Sequence, residues 1–157
     1  MGTATLGVAE AAIDHEPVEY YQLAAPAVVT TPRIARDFVT AVLSAADRGR
    51  LIDDARVCVS DAVTNVVLHA RVPVLAVEMA VHGDRVIVAV RDDDPARRPY
   101  RREARADEES GRGLMLVRSL SCESGVTLVW DGLKVIGKRV WFVLREGMAV
   151  GCAPVGR

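Results

Sequence analysis

The sequence predicts an α+β domain, a two-layer sandwich in which three helices cover one face of a mixed, mostly antiparallel sheet. Two turn signals, His82-Gly83-Asp84 and Asp131-Gly132, separate apolar segments and therefore predict hairpins, which join antiparallel strands. Three other segments carry apolar residues at helical spacing, and their apolar stripes need a sheet face to cover.

The elements can be placed along the chain from their periodicity and their boundary residues. Thr31 and Pro32 predict an N-cap followed by proline at the first helical position, and Gly49 is expected to close that helix. Its apolar face is predicted as Ile34, Ala35, Phe38, Val42 and Ala45. The full order is a strand at residues 19–23, helices at 31–46 and 51–70, strands at 74–81 and 86–90 (the second of them central), a helix at 113–122, and strands at 126–130 and 139–144 joined across Asp131-Gly132 and Gly137.

One domain is expected at residues 18–146, between tails at 1–17 and 147–157 that lack periodicity. Of the 157 residues, 50% are hydrophobic and 4% aromatic, so aliphatic side chains must build the core. A net charge of −1 gives no general attraction to nucleic acid or to an anionic membrane. No apolar run reaches the about 20 residues that span a bilayer. Three widely spaced cysteines are expected to be reduced, which favours a cytoplasmic protein.

The helix at residues 51–70 has two different faces. Its apolar arc consists of Ala55, Val59, Ala62, Val63, Val66 and Ala70. A polar strip runs along one edge of that arc and consists of Asp54, Cys58, Asp61, Asn65 and His69. The Asp61 carboxylate and the Asn65 carboxamide lie one turn apart, so both are expected to face a pocket beside the apolar arc. Asn is a poor helix former, so Asn65 either serves a ligand or hydrogen-bonds a neighbouring loop.

Two later segments also carry residues suited to a binding site. Asp92 stands where the central strand ends, as a turn former or as a ligand-binding carboxylate. Gly111-Arg112-Gly113 stands where a long loop turns into a helix. Glycines there permit close backbone approach and leave amides that suit phosphate, although such a segment is also a common turn.

Taken in order, these segments resemble the GHKL ATPase superfamily, which includes DNA gyrase, sensor histidine kinases and anti-sigma factor serine kinases. The resemblance covers residues 31–144 and is strongest to the small anti-sigma factor kinase-like branch. That branch has a helix motif Ser-Glu-Leu-Val-Thr-Asn-Ala-Val-x-His-Ala, matched here by SDAVTNVVLHA at residues 60–70. Its lid motif Gly-Arg-Gly-Leu-x-Leu-Val is matched by GRGLMLV at residues 111–117, and its adenine-recognising Asp by Asp92.

The resemblance implies a Bergerat-type fold that binds ATP and Mg²⁺. It assigns catalysis to Asp61, the metal to Asn65, and nucleotide binding to Asn65, His69, Asp92, Gly111, Arg112, Gly113 and Leu114. An amide oxygen is a hard ligand suited to Mg²⁺, which keeps several waters and bridges phosphates. A carboxylate one turn away could orient or deprotonate an attacking hydroxyl.

The sequence departs from the family pattern at three positions. Asp61 is one methylene shorter than the family's Glu, and a reach deficit near about 1 Å can cost about 10²-fold in rate. Asp94 stands where the wider superfamily has the Gly of Asp-x-Gly, which adds negative charge near the nucleotide and removes a flexible position. Arg139 is taken as the replacement of the final-strand Thr that assists adenine binding.

An arginine cluster precedes the lid motif and consists of Arg97, Arg98, Arg101, Arg102 and Arg105. It is interpreted as a solvated charge run, as a surface that steers phosphates or an acidic partner, or as a nucleic-acid contact. The acidic residues at 107–109 offset the cluster, and no aromatic platform accompanies it, which disfavours the third interpretation.

Two functions follow from the resemblance. The first is an ATP-dependent protein serine/threonine kinase of transcription regulation, which binds a sigma factor and phosphorylates a Ser on an anti-anti-sigma antagonist. The second is a non-catalytic, nucleotide-gated module that sequesters a partner without phosphoryl transfer. Protein partners are expected in both cases, without direct contact to nucleic acid or membrane, and homodimerisation is left open.

Overall fold

The computed structural model describes residues 18–94, 117 and 120–147. Its elements are β1 (Glu19–Pro26), α1 (Thr31–Ala45), a 3-10 turn (Gly49–Leu51), α2 (Ile52–His69), β2 (Val74–Val81), β3 (Val86–Asp92), β4 (Glu123–Asp131) and β5 (Lys134–Leu144). Within these residues the predicted α+β class is confirmed: two helices accompany a five-stranded sheet in the order β1-β2-β3-β5-β4. All four pairings between these strands are antiparallel.

The third predicted helix falls mostly outside the described residues. Val117 and Leu120 are helical, and Val117 is buried in the core. Ser121 and Cys122 form a bend before β4, so the helix ends before Cys122 and the predicted boundary was too late. The predicted tails also lie outside the described residues, except for Gly147.

The two faces of the sheet have different environments because side chains alternate along each strand. On β2, Leu75, Val77 and Met79 are buried in the same cluster as the helices. On β3, Val86, Val88 and Val90 belong to this cluster, whereas Ile87 packs in a second, smaller one on the opposite face. Asp92 continues the alternation of Val88 and Val90, so its side chain lies on the helix side.

The apolar face of α1 differs in part from the predicted set. Val39 and Leu43 are fully buried, whereas Ile34 is 46% exposed. The residue before the helix is Thr30, and its side chain makes no capping hydrogen bond. The Thr31 hydroxyl instead donates to the carbonyl of Pro26, which ties the start of α1 to the end of β1. The expected N-cap at Thr31 was therefore wrong by one residue.

The end of α1 is set by Asp47 and not by the predicted Gly49. Asp47 has a φ of 59°, in the left-handed region that Asp tolerates better than most residues. The amide of Arg48 donates to the carbonyl of Leu43 at 2.8 Å, and that of Asp47 donates to Ser44 at 3.2 Å. These two bonds are the Schellman pattern, which satisfies carbonyls that the helix end leaves open.

The buried arc predicted for α2 is confirmed for five of its members, Ala55, Val59, Ala62, Val63 and Val66. Ala70 follows the helix as its C-cap and is half-buried. The helix packs on β3 and β5 through this arc. The strip beside the arc is thereby held at the boundary between core and surface. No helix in the described part of the chain is long and apolar enough to cross a membrane.

Four strands extend beyond their predicted ends. β1 reaches Pro26 instead of residue 23, β3 reaches Asp92 instead of residue 90, and β4 begins at Glu123 instead of residue 126. The last strand begins at Lys134 and contains Gly137, so Gly137 is not part of the hairpin connection. A Cβ atom on Gly137 would lie 2.2 Å from the carbonyl oxygen of Asp92. Only glycine therefore lets β5 pass this closely beside the end of β3.

We predict that Gly137→Ala displaces the end of β3 and lowers stability by about 1–3 kcal/mol, because the added methyl meets backbone that cannot rotate away. Thermal unfolding measures this change. Gly49→Ala is the matched control, since its Cβ would have no heavy atom within 4 Å. Equal melting temperatures for the two variants would contradict the close approach at Asp92.

Candidate functional site

The side chains of the strip on α2 are buried to different degrees. Cys58 is fully buried, whereas Asp61, Asn65 and His69 are half-buried. These three residues are spaced by four positions, so they lie above one another, about 6 Å apart along the helix axis. The helix therefore carries a carboxylate, a carboxamide and an imidazole in one line at the edge of the core.

Three buried side-chain atoms in the described residues have no hydrogen-bond partner: Asp61 Oδ2, His69 Nε2 and Asp92 Oδ2. Buried polar atoms are nearly always paired in folded proteins, so each exception needs an explanation. All three belong to residues that the sequence singled out independently. A polar ligand that pairs with them is the simplest account of this coincidence.

Asp92 is the most enclosed of these groups, with 1% of its surface exposed. Its Oδ1 accepts a hydrogen bond of 3.0 Å from the backbone amide of Asp94. Its Oδ2 lies 3.8 Å from Lys138 Nζ, beyond hydrogen-bond range. Burial raises the pKa of Asp92, while the Asp94 amide and Lys138 act in the opposite direction. One oxygen is thus fixed, and the other remains able to accept a hydrogen bond.

Asp94 connects the two elements that carry the site. It is 5% exposed, and its Oδ2 accepts a hydrogen bond of 3.2 Å from the backbone amide of Arg71, just after α2. The last turn of α2 is therefore held beside the end of β3, which brings His69 to the same end of the sheet as Asp92. The charge of Asp94 also contributes to raising the pKa of Asp92. This effect is expected where a carboxylate replaces the Gly of the superfamily's Asp-x-Gly.

Arg139 does not stand on the site side of the sheet, so its interpretation as the replacement of the family's Thr was wrong. Its Nε donates to Glu78 Oε2 at 2.9 Å on the helix-free face, and both side chains are buried. The residue directly opposite Asp92 in the ladder is Lys138. Counting back by twos from the buried Phe142 places Lys138 on the helix side, so strand alternation could have found it.

Burial also shapes the chemistry along α2. It raises the pKa of Asp61, which makes the carboxylate a better proton acceptor than an exposed one. It raises the pKa of Cys58 to about 12, with additional contributions from the Asp54 and Asp61 carboxylates. Cys58 is therefore a packed, unreactive thiol.

Asn65 is the described residue best suited to a magnesium ion. No cluster of three His, Cys, Asp or Glu side chains that could hold a metal occurs in the described ranges. Mg²⁺ in nucleotide sites needs no such cage, because one or two protein oxygens join substrate phosphates and water. A half-buried carboxamide beside unpaired acceptors fits that role.

The remaining predicted site residues lie outside the described residues. They are Gly111, Arg112, Gly113 and Leu114 of the lid motif, together with the arginine cluster between residues 97 and 105. The described part of the site therefore consists of the strip on α2 and the ends of β3 and β5.

We predict that Asp61→Asn stabilises the nucleotide-free protein at neutral pH. The pKa of Asp61 in the folded protein lies above its ordinary value of 3.8, so the folded state holds this proton more tightly than the unfolded state does. The contribution of Asp61 to the free energy of unfolding is therefore greatest at low pH, below 3.8, and is lost as the pH rises through the folded-state pKa. Asn carries no charge to bury, so the variant avoids this loss of stability. We expect its free energy of unfolding to rise by about 1 kcal/mol and its Tm by about 2–4 °C. The gain is small because solvent screens the charge of a half-exposed side chain.

Thermal unfolding between pH 3 and pH 8 measures this effect. Asp53→Asn in the exposed first turn of the same helix gives the contrast, because its charge favours the helix N-terminus and its removal should slightly destabilise the protein at pH 7. The advantage of Asp61→Asn should disappear below about pH 4, where both folded and unfolded wild type are protonated. A variant less stable than the wild type at pH 7 would show that the carboxylate has a partner in the folded protein.

The chain was also compared with known proteins. The family model described as the histidine kinase-like ATPase domain matches residues 25–136, a range that contains α1, α2, β2 and β3 with Asp61, Asn65, His69 and Asp92. A search among curated proteins gave no match. The family match covers well over half of the 157 residues. The chain therefore belongs to the histidine kinase-like ATPase domain family.

Proposed function

We propose that this chain is an ATP-binding regulatory protein that binds Mg-ATP between α2 and the end of β3 and phosphorylates a Ser on a protein antagonist. The observation that carries the proposal is the set of buried side-chain atoms on Asp61, His69 and Asp92 that have no hydrogen-bond partner in the described residues, within the range that the family model matches. A ligand that donates an amine hydrogen to Asp92 and brings a hydroxyl or a metal-bound water to Asp61 would pair with the two carboxylate oxygens.

Each residue has a separate role in the proposed reaction. The Ser oxygen would bond to the γ-phosphorus of ATP as the bond from that phosphorus to the β–γ bridging oxygen breaks, so that ADP leaves, and bound Mg²⁺ would neutralise charge on the phosphates. Asp92 accepts a hydrogen bond from the adenine amino group at Oδ2, because Oδ1 is already used by the Asp94 amide. Asn65 provides a neutral oxygen to the metal. Asp61 accepts the proton of the attacking Ser hydroxyl or orients that hydroxyl.

Exposed aliphatic and aromatic side chains at the site end of the sheet support protein partners. The β4–β5 hairpin extends four residues beyond Lys138, the residue opposite Asp92, which is about 13 Å of strand. Leu133 at its turn is fully exposed, and Trp130 is 57% exposed. Val29, after β1, is 84% exposed at the same end. We propose that a sigma factor or an anti-anti-sigma antagonist contacts this end of the domain.

A nucleotide-gated module without phosphoryl transfer is the second candidate. The observation in its favour is Asp61, whose side chain is one methylene shorter than the family's Glu. Among the described residues, its Oδ2 also has no partner that would orient it towards a hydroxyl. In this candidate ATP binding alone changes the affinity for the partner.

We predict that the wild type binds Mg-ATP and that Asp92→Asn weakens binding by about 10–150-fold, which corresponds to loss of a hydrogen bond to a charged group. Asn65→Ala should weaken Mg-ATP more than ATP alone, because it removes a metal ligand. Isothermal titration calorimetry with and without Mg²⁺ measures both effects.

Asp93→Asn is the matched control for Asp92→Asn. Asp93 is the exposed neighbour and pairs with Arg91 at 3.1 Å, away from the enclosed carboxylate. The Asp93→Asn variant should bind Mg-ATP with the affinity of the wild type. An absence of adenine-nucleotide binding by the wild type at millimolar Mg-ATP would refute the proposed function.

We also predict that Asp61→Asn abolishes phosphoryl transfer to the antagonist while ATP affinity stays within about threefold, because the amide cannot accept the proton but keeps the size of the side chain. Asp61→Glu should raise the rate, since the longer side chain restores the family's reach. Transfer of the γ-phosphate from labelled ATP measures these rates.

Two outcomes separate the candidates. Unchanged transfer in Asp61→Asn would show that Asp61 is neither base nor positioning group. Nucleotide-dependent partner binding without any transfer in the wild type would favour the nucleotide-gated module.

A further inference from the structure

We propose that Lys138 is a nucleobase-reading residue, which together with Asp92 forms a donor–acceptor pair for the edge of adenine. The proposal rests on the proposed function, because it concerns the base of the nucleotide that Asp92 would bind. It adds a specificity-determining residue beside Asp92, a role that the sequence analysis had associated with Arg139.

The ladder between β3 and β5 places Lys138 directly opposite Asp92. Both side chains lie on the helix side of the sheet, in line with Val90 and Val140. The Lys138 side chain is 19% exposed, so most of its length is packed and its ammonium is confined to the neighbourhood of Asp92. Gly137 beside it permits the two strands to approach at this point.

The two charges are near each other without forming a hydrogen bond. Lys138 Nζ is 3.8 Å from Asp92 Oδ2, whereas a charge-assisted bond between such groups is about 2.7–2.9 Å long. Within the described residues, Nζ makes no hydrogen bond, and Oδ2 has none either. A donor and an acceptor thus stand side by side with their hydrogen-bonding capacity unused.

Adenine carries the complementary arrangement. Its 6-amino group is a hydrogen-bond donor, and a ring nitrogen that accepts hydrogen bonds lies on each side of it, N1 on one side and N7 on the other. Asp92 accepts from the amino group, and Lys138 donates one of its three N–H bonds to the neighbouring ring nitrogen. The carboxylate and ammonium keep their mutual attraction in this arrangement, so binding the base leaves neither charge unpaired.

The test uses ATP analogues on the folded wild type, so that it does not depend on a variant's stability. Calorimetry compares ATP with 1-deaza-ATP and 7-deaza-ATP, each of which lacks one ring acceptor. We expect one of the two analogues to bind at least about tenfold more weakly than ATP, as for loss of a hydrogen bond to a charged donor.

Lys138→Thr should bind ATP and that same analogue with equal affinity, because the donor is gone. Lys134→Thr is the matched control on the same strand, since Lys134 is exposed beyond the end of β3 and should keep the wild-type preference. If Lys138→Thr fails to fold, the analogue comparison on the wild type decides alone.

Each result has a definite meaning. Equal binding of ATP and both analogues by the wild type overturns the role of Lys138 and leaves the proposed function intact. A preference for ATP that persists in Lys138→Thr overturns it as well. No binding of ATP at all overturns the proposed function, and the role of Lys138 falls with it.

Discussion

The site depends on the enclosure of one carboxylate, that of Asp92, with only half of its hydrogen-bonding capacity used. The Asp94 amide donates to Oδ1 at 3.0 Å, while Oδ2 has a charged neighbour at 3.8 Å but no hydrogen bond from any described residue. Such burial disfavours the charged form and costs stability that a ligand can restore. The framework around Asp92 serves to hold this unfavourable group in place: Gly137 lets β5 approach, and Asp94 fastens the end of α2 to the end of β3.

Buried charges on the opposite face of the sheet are hydrogen-bonded to each other. Glu78 is 3% exposed and Arg139 7% exposed, and their two hydrogen bonds, of 2.9 and 3.4 Å, leave neither charge alone. Trp141 on this face covers Gly125, where an added Cβ would lie 2.7 Å from the ring. The charges on this face are hydrogen-bonded to each other, whereas Asp92 on the helix side lies 3.8 Å from Lys138 and keeps one oxygen without a hydrogen bond in the described residues.

Periodicity in the sequence was sufficient to predict the strip on α2, the central strand and both hairpins, because these depend on local spacing alone. It did not give the partner of Asp92, since the relevant neighbour is set by register between β3 and β5. The Cβ clash at Gly137 and the bond from Arg71 to Asp94 are likewise long-range contacts, separated by 45 and 23 positions in the chain. The alternation back from Phe142 nevertheless contained the signal that Lys138, and not Arg139, faces the helices.

A crystal structure of the protein with Mg²⁺ and a non-hydrolysable ATP analogue tests the roles of Asp92 and Asn65 most directly. We expect the adenine amino group within hydrogen-bond distance of Asp92 Oδ2, and Mg²⁺ coordinated by the side-chain oxygen of Asn65 at about 2.0–2.1 Å. A nucleotide bound elsewhere, or bound here with its base remote from Asp92, would contradict these roles.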